Sequence, residues 1–577
     1  MKENFRRNVQ SSPSNYPFYS EPAEYLSQYK LPYTSPTPGE FPLIGIDTGK
    51  VVDVNGELDP NRYFSEAFLS IIKESGLNCV QAEVSYVKNS SGHPIEHPLM
   101  ESIANCNKTA TYEVVRIWRY TFPNIPSSMP YDSATARDMQ TQSDLYKAET
   151  EAGEAYLNDW KIAVEYVYPY KAVGAYHLYD EPNVRYFKWA ARVKDAIIEK
   201  DKWLTLIYDN LFPLEAEKDE KKLSGLAGRE DGLITSGPLA GSGQKITYAY
   251  YLDEYERIFA PAVWCYDCYL LAGCVNEQGN PISKLSTFLK NLEVIRDQAY
   301  KNLRPFWVTV RGLYKFEDFV KYENISSILE PEFGMKGQAK ALILAALRCE
   351  IFSSIAGGAQ GVNFWAMVAR PNDEYFWAPL YYPFTQKARQ DISALLPATT
   401  KERVSEILAI CKDNKSYDYS SIQKSSLFDE VKWVASEVRN LQSLFLGAVN
   451  ENVWYKNGDD KDEDDKSDES STDDELSKYG IKKFGKSQKW MKVEINNIDD
   501  ELFIGFLTNI DKRIEIMVVV NFSLENNCQV LLKFSKEGVV EHTMRNGIPI
   551  PSPAPGLTSY KTVIRPGDWR VFSCPRG

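Results

Sequence analysis

The feature that most constrains the fold is an apolar run from Val173 that ends in two adjacent acids, Asp180 and Glu181. Pro182 follows and blocks further strand pairing because it has no N–H. Apolar residues then recur at helical spacing over residues 186–197, and a second strand-like run comes after them. The pattern predicts a strand–helix–strand unit with carboxylates on its loop, which is where parallel α/β folds place their chemistry.

The acid pair also has a purely structural interpretation. Acids at the start of a helix interact favourably with its dipole, and proline suits the first helical turn. On this alternative, Asp180 and Glu181 only cap the helix that follows. The rest of the chain has to decide between the two.

The same alternation of strand and helix recurs along most of the chain. Several of the strand-like runs also end in a polar or charged residue, as at Asp47, Glu83 and Asp267. A doubly wound sheet would show a Gly-rich phosphate loop after its first strand, and the Asp-Thr-Gly-Lys at residues 47–50 is not one. We therefore predict an α/β fold, a (β/α)8 TIM barrel. Its strands are expected at residues 41–47, 77–83, 113–118, 173–180, 203–209, 262–267, 305–311 and 361–367.

The domain organisation follows from shifts in composition. Residues 1–40 form a polar N-terminal extension, and residues 41–450 form the barrel, closed by an amphipathic helix at 430–446. Residues 451–489 are predicted to be an acidic linker or loop, because residues 459–475 carry a net charge of −9 and cannot bury enough apolar surface to fold. From residue 490 to 577 short strands alternate with turns, which predicts a small antiparallel β-sandwich.

Composition excludes several classes of partner and site. The charge of −13, most of it in the acidic segment, argues against a nucleic-acid partner. No apolar run is long enough to span a membrane. Cys265, Cys268 and Cys274 cluster without a fourth zinc ligand nearby, so we expect buried thiols, no metal site and no cofactor. We expect a secreted, periplasmic or cell-surface protein if a signal peptide has been removed, and otherwise a cytoplasmic one; the oligomeric state is not predicted.

Four segments of the chain share a pattern with known barrel enzymes. They are Gly-Ala-Tyr-His-Leu-Tyr-Asp-Glu-Pro at 174–182, Asp-Asn-Leu-Phe-Pro at 209–213, Tyr-Asp-Cys-Tyr at 266–269 and Gly-Val-Asn-Phe-Trp at 361–365. Together they resemble the barrel of clan-A-type glycoside hydrolases, and most closely the family 42 β-galactosidase-like proteins of Bacteroidetes. The terminal Pro-Gly-Asp-Trp-Arg-Val-Phe strand is similar to the sandwich that ends many such enzymes. The resemblance implies a glycosidase that acts on a carbohydrate substrate.

The resemblance makes Glu181 the general acid/base at the tip of strand four. Asp180 is the neighbouring anion that would raise the pKa of such an acid. Retaining enzymes of the clan carry their nucleophilic Glu at the tip of strand seven, but here that tip reads Val-Arg-Gly, with Arg311 in the middle. We expect Asp267, on strand six, to be the second carboxylate.

Two alternatives for the second carboxylate stay open. Glu83 or Asp47 could activate water from across the cleft, or an acetamido group of the substrate could act as the nucleophile. The predicted substrate-binding residues are Glu83, Asp47, Arg311, Trp365, Tyr266 and Asn210.

Other conspicuous side chains on the strands are expected to have structural roles. His177 lies mid-strand and is predicted to be a core histidine. Core packing is also favoured for each of Trp264, Trp307, Trp365 and Trp377, although tryptophans at strand ends can stack on sugars. The predicted function is hydrolysis of a glycosidic bond in an oligo- or polysaccharide. The alternative, motivated by the strand-seven tip, is a non-catalytic carbohydrate-binding protein on a degenerate barrel.

Overall fold

The chain consists of a barrel of parallel strands followed by antiparallel sheets. Apart from isolated positions, the computed structural model describes residues 39–47, 66–85, 111–118, 139–201, 206–218, 246–270, 285–312, 337–368, 427–456, 491–495, 501–542 and 559–576. The predicted N-terminal extension and most of the acidic segment lie outside these ranges.

The barrel strands pair in chain order, each parallel to the next, and the ring closes where the last strand pairs with the first. This agrees with the predicted TIM-type barrel. Asp180, Asp267 and Arg311 are the last residues of their strands, so they lie at the same end of the barrel. The strands are β1 (Leu43–Asp47), β2 (Cys79–Ser85), β3 (Tyr112–Trp118), β4 (Val173–Asp180), β5 (Ile207–Leu211), β6 (Trp264–Asp267), β7 (Phe306–Arg311) and β8 (Val362–Val368).

In the described structure helices follow most of the barrel strands, and the amphipathic ones bury one face. On α3 the buried side chains are Phe187, Trp189, Ala190, Val193 and Ile197, at the spacing expected for one helical face. Among the described residues, no helix has the length and apolar character needed to cross a membrane. The helices are α1 (Glu66–Glu74), α2 (Met139–Val167), α3 (Phe187–Lys200), α4 (Tyr248–Ile258), α5 (Leu285–Lys301), α6 (Gly337–Ala356) and α7 (Phe428–Phe445).

Inward-facing side chains fill the barrel in layers of different character. The lower layer is largely apolar and includes Ile44, Cys79, Val114, Ala175 and Trp307, all fully buried. Closer to the carboxyl ends of the strands the buried side chains become polar. The chemistry of the chain is therefore concentrated at one end of a closed core.

The C-terminal region forms two packed sheets, as predicted, but it begins earlier than expected. Residues 449–456, placed at the barrel end and in the linker by the sequence, form a strand that pairs with residues 502–509. The first sheet contains β9 (Val449–Lys456), β11 (Leu502–Asn509), β12 (Ile514–Asn521) and β15 (Trp569–Pro575), flanked by Lys482–Lys483 and Val540–Glu541. The second contains β10 (Met491–Ile495), β13 (Cys528–Phe534) and β14 (Ser559–Ile564).

Helix α6 explains how the two parts of the chain join. It packs against β7 on one side and against β11 and β12 on the other, so its largely apolar surface is mostly buried, and residues 345–347 and 349–356 are all buried. Every residue of β11 is buried for the same reason, since its sheet has the sandwich core on one face and α6 on the other. The contact is so close that a Cβ at Gly505 would collide with the backbone of Ala356.

Candidate active site at the carboxyl end of the barrel

The acid pair lies where β4 departs from regular pairing. The register of β4 against β5 shifts between His177 and Asp180, which places Asp180 directly opposite Asn210. Such irregularities re-aim side chains and are frequent near active sites. The backbone of Glu181 is left-handed, with φ of 50°, and its N–H donates to the Asn210 carbonyl at 2.7 Å. This conformation turns the chain out of β4, and the hydrogen bond holds the turn in place.

Asn210 holds Asp180 through a buried polar network. Its Nδ2 donates to Asp180 Oδ1 at 2.9 Å, and its Oδ1 accepts from the Thr309 hydroxyl at 3.1 Å and from Cys265 Sγ at 3.4 Å. Asn363 Nδ2 donates to Cys265 Sγ at 3.2 Å. The network crosses strands β4 to β8 and fixes which way the Asn210 amide points. It leaves the NH2 of Asn210 facing the Asp180 carboxylate.

Asp267 joins the acid pair from β6. Burial raises its pKa well above the ordinary value, and the negative charges of Glu181 and Asp180 raise it further. The Tyr269 side chain hydrogen-bonds to this carboxyl and opposes the shift. Asp180, Glu181 and Asp267 thus form a cluster, called the acid cluster below. Because its members interact, at least one proton remains on the cluster under conditions that ionise an ordinary aspartate.

Two aromatic rings border the acid cluster, and Arg311 lies at the same end of the barrel. The rings of Tyr269 and Trp365 stack with their centroids 6.0 Å apart, and both side chains are partly exposed. Arg311 is buried at the tip of β7, and strand alternation puts it on the same face as Trp307 and Thr309, towards the barrel interior. A partly exposed aromatic surface beside carboxyls is the combination that sugar-binding clefts use.

Sequence reasoning missed Glu350. This residue of α6 is fully buried, and its two carboxylate oxygens accept the backbone N–H groups of Leu270 at 2.6 Å and of Arg311 at 3.0 Å. Burial raises its pKa to about 7, while the two N–H groups and the Arg311 charge oppose that shift. The available signal was a charged residue within the otherwise apolar 341–356 segment of α6, where Arg348 is the other example.

Tyr266 does not join the acid cluster. It is fully buried in the core that contains the apolar faces of the helices, because neighbouring residues of β6 point to opposite faces. Its predicted contact with substrate has no support in this packing. The alternation of Cys265 and Asp267 against Tyr266 could have shown this from the sequence.

Of the other predicted residues, some have side chains outside the described structure and others are buried in the core. Asp47 and Glu83 lie at or near the ends of β1 and β2, and their side chains are outside the described part of the structure. The side chain of Trp377 is also outside it. Trp264 and Trp307 are fully buried in the core.

His177, Cys265 and Cys268 are buried in the packed interior of the protein. His177 is buried, lies 3.0 Å from Gln81 Oε1 and 2.8 Å from the Tyr179 carbonyl, and stacks on Tyr208. Cys265 and Cys268 are buried thiols. Within the described ranges, no three His, Cys, Asp or Glu side chains are grouped so that they could hold a metal ion.

Comparison with known proteins finds solved structures of low similarity only. No family model matches the chain, and no curated protein matches it by sequence. An exo-β-1,4-mannosidase from Opitutaceae bacterium strain TAV5 is 12% identical with a TM-score of 0.38, covering 70% of this chain and 61% of that one. A maltogenic α-amylase from Thermotoga neapolitana is 10% identical with a TM-score of 0.39, covering 93% and 99%.

A third solved structure, the family 51 α-L-arabinofuranosidase of Bifidobacterium longum, is 9% identical with a TM-score of 0.36, covering 94% of this chain and 97% of that one. These neighbours are TIM-barrel glycoside hydrolases. At such identities and TM-scores they assign neither a substrate nor a reaction. The function has to be inferred from the site itself.

Proposed function

We propose that the chain is a glycoside hydrolase, with Glu181 as general acid/base and Asp267 as the second carboxyl. The observation that carries this proposal is the convergence of Glu181 and Asp267, from β4 and β6, at the barrel end where such folds place their catalytic groups. Hydrolysis of a glycosidic bond needs two carboxyls, one of which keeps a proton near neutral pH.

The acid cluster supplies that proton. Burial and like charge raise the pKa of Asp267, so the interacting carboxyls retain a proton between them. Glu181, at the loop after β4, is the group that donates a proton to the glycosidic oxygen as the bond to the anomeric carbon breaks. Water supplies the hydroxyl that replaces the leaving group, and its proton returns to the cluster. Asp180, hydrogen-bonded by Asn210, provides the neighbouring negative charge.

The aromatic pair supports a carbohydrate as the substrate. Tyr269 and Trp365 present partly exposed rings beside the acid cluster, and such rings cover the apolar face of a sugar ring. The finer expectations, a complete (β/α)8 barrel of the clan-A type and a relationship to family 42, are part of the same proposal. So is a role of Arg311 in binding substrate.

The test is the variant Glu181→Gln, assayed on a panel of aryl glycosides. Loss of a general acid/base is expected to lower kcat by roughly 10²–10⁴-fold. The melting temperature should change little, because Glu181 lies on a partly exposed loop.

Glu199→Gln, an exposed glutamate on α3, is the control and should keep full activity. Equal turnover by Glu181→Gln and wild type would reject the assignment of Glu181. Glycan binding in calorimetry without any product from the wild type would show the carbohydrate-binding alternative instead.

A further inference from the structure

Glu350 connects two strands at the point where their own pairing ends. The ladder between β6 and β7 reaches Asp267 opposite Thr309, the last pair in its register. Beyond it, the carboxylate of Glu350 accepts one N–H from the β6 side, at Leu270, and one from the β7 side, at Arg311. A side chain from α6 thus continues the connection between the two chain segments.

The β6 side of this connection carries Asp267, the second carboxyl of the proposed reaction, and Tyr269. Leu270 is buried and comes three residues after Asp267. Tyr269 lies between them, hydrogen-bonds to the Asp267 carboxyl and stacks on Trp365. Fixing the Leu270 amide therefore fixes the backbone from which both Asp267 and Tyr269 enter the cleft.

The β7 side is connected to Trp365, the residue on which Tyr269 stacks. The N–H of Gly312, the residue after Arg311, donates to the Trp365 carbonyl at 2.6 Å. Glu350 thereby links the segment that carries Asp267 and Tyr269 to the segment that holds the backbone of Trp365. The acid cluster and the aromatic pair are tied together through one buried side chain.

A carboxylate suits this place because it offers two acceptor oxygens and no donor when ionised. A glutamine would turn an NH2 towards one of the two N–H groups, and an apolar residue would leave both without acceptors. Placing a carboxylate in a fully buried position is costly unless it is hydrogen-bonded, and here both oxygens are.

We propose that Glu350 is a positioning residue for the acid cluster, which sets the location of Asp267 and Tyr269 through the amides of Leu270 and Arg311. This inference rests on the proposed glycosidase function. A merely structural Glu350 would affect stability and leave the proton chemistry unchanged. A positioning Glu350 also controls the rate and the pH profile.

The test is Glu350→Gln, studied by hydrogen–deuterium exchange and by kinetics on the glycoside found to be a substrate. Peptides covering Leu270 and Arg311 should exchange faster than in the wild type. Because a misplaced catalytic group can lose up to about 10²-fold, kcat should fall by roughly 10-fold or more at similar KM. The pH profile should change as well, because the surroundings of Asp267, one of the interacting carboxyls, change.

Glu293→Gln is the matched control. Glu293 is another buried glutamate with a raised pKa, on α5, and its partner is Arg296. It should alter the melting temperature without changing the pH profile or exchange at Leu270. If Glu350→Gln does not fold, Glu350→Asp, which keeps the charge but withdraws it by one methylene, is expected to give a smaller loss of the same kind.

Two results would overturn the inference: unchanged exchange at Leu270 and Arg311, or faster exchange with wild-type kcat and pH profile. Failure of the proposed function looks different. In that case the wild type itself has no glycosidase activity, and the exchange measurement still reports whether Glu350 holds the two amides.

Discussion

The protein contains two groups of buried or half-buried acids whose charged neighbours have opposite signs. Where α6 and α7 meet the sheet domain, Arg348 forms ion pairs with Glu430 and with Asp568, the latter at 3.0 Å, and Arg565 also pairs with Asp568 at 2.9 Å. At the barrel mouth, the strongest influences on Asp267 after burial are the negative charges of Glu181 and Asp180. The acids of the first group are paired with arginines, whereas the neighbours of Asp267 are negatively charged.

The difference separates a stabilising arrangement from a reactive one. At the interface between barrel and sheets, burial raises the pKa of Glu430, and the charge of Arg348 opposes that shift and links the two parts of the chain. Like charges at the mouth cost stability but keep a proton on a carboxyl, as acid–base chemistry at neutral pH requires. Such a conflict between stability and activity is expected at functional sites.

Removing the cation at the interface is expected to have the largest effect on stability. In Arg348→Met, Glu430 and Asp568 lose a partner while remaining largely buried. Breaking a buried pair in this way should destabilise the protein by about 3 kcal/mol. Chemical denaturation measures the loss, and activity per folded molecule should not change.

The control for this variant is Arg192→Met, which removes an exposed pair with Glu154. Exposed pairs contribute little, so its cost should stay below about 1 kcal/mol. Equal losses in the two variants would show that the interface acids do not depend on Arg348.

Removing the Asp267 carboxyl at the carboxyl end of the barrel should increase the stability of the protein. The pKa of Asp267 is raised from an ordinary value of 3.8, so above that pH the unfolded chain releases a proton that the folded protein retains. The stability contributed by this group is present at low pH and is lost as the pH rises towards the folded pKa. Asp267→Asn removes this loss, so its melting temperature at about pH 7 should exceed that of the wild type by on the order of 2 °C.

The same variant should lose activity, by roughly 10²-fold in kcat. Its gain in melting temperature should shrink as the pH falls and vanish below about pH 3, where both folded and unfolded wild type hold the proton. Asp195→Asn, an exposed position on α3, serves as the control with no change in either property. A lower melting temperature for Asp267→Asn at neutral pH would contradict the like-charge interpretation.

The smallest effect is expected from the polar network beneath the acid cluster. Thr309→Val keeps the shape but removes the hydroxyl that donates to Asn210, leaving the amide less firmly oriented towards Asp180. We expect kcat to fall about five-fold, corresponding to roughly 1 kcal/mol for one hydrogen bond. Steady-state kinetics measures it.

Thr508→Val removes a comparable buried hydroxyl, bonded to Glu451 in the sheet domain. It should affect stability alone. If both threonine variants changed only the melting temperature, the network would be structural and would not orient the acid cluster.

Much of the architecture could be predicted because it is written in local patterns. Strand-length apolar runs and helical stripes identified the barrel elements, and α7 was expected at 430–446 and lies at Phe428–Phe445. The start of the sheet domain was harder to place, because β9 is adjacent to the acidic segment and pairs with residues some 50 positions later. Pairing over that distance leaves no mark in the local composition.

The site was partly predictable for the same reason. An acid at the end of a strand can be seen in the sequence, and this found Asp180, Glu181 and Asp267. The register shift in β4 could not be seen, and it decides that Asp180 faces Asn210. Glu350 was missed because its partners are backbone amides 39 and 80 residues away.

The sequence by itself determined that acids stand at the tips of strands in an α/β barrel, since strand length, helical spacing and proline act over a few residues. Only the tertiary structure decided which of these acids meet. Burial and charge interaction depend on distances between segments far apart in the chain, so the raised pKa of Asp267 and the anchoring by Glu350 exist only in the folded protein.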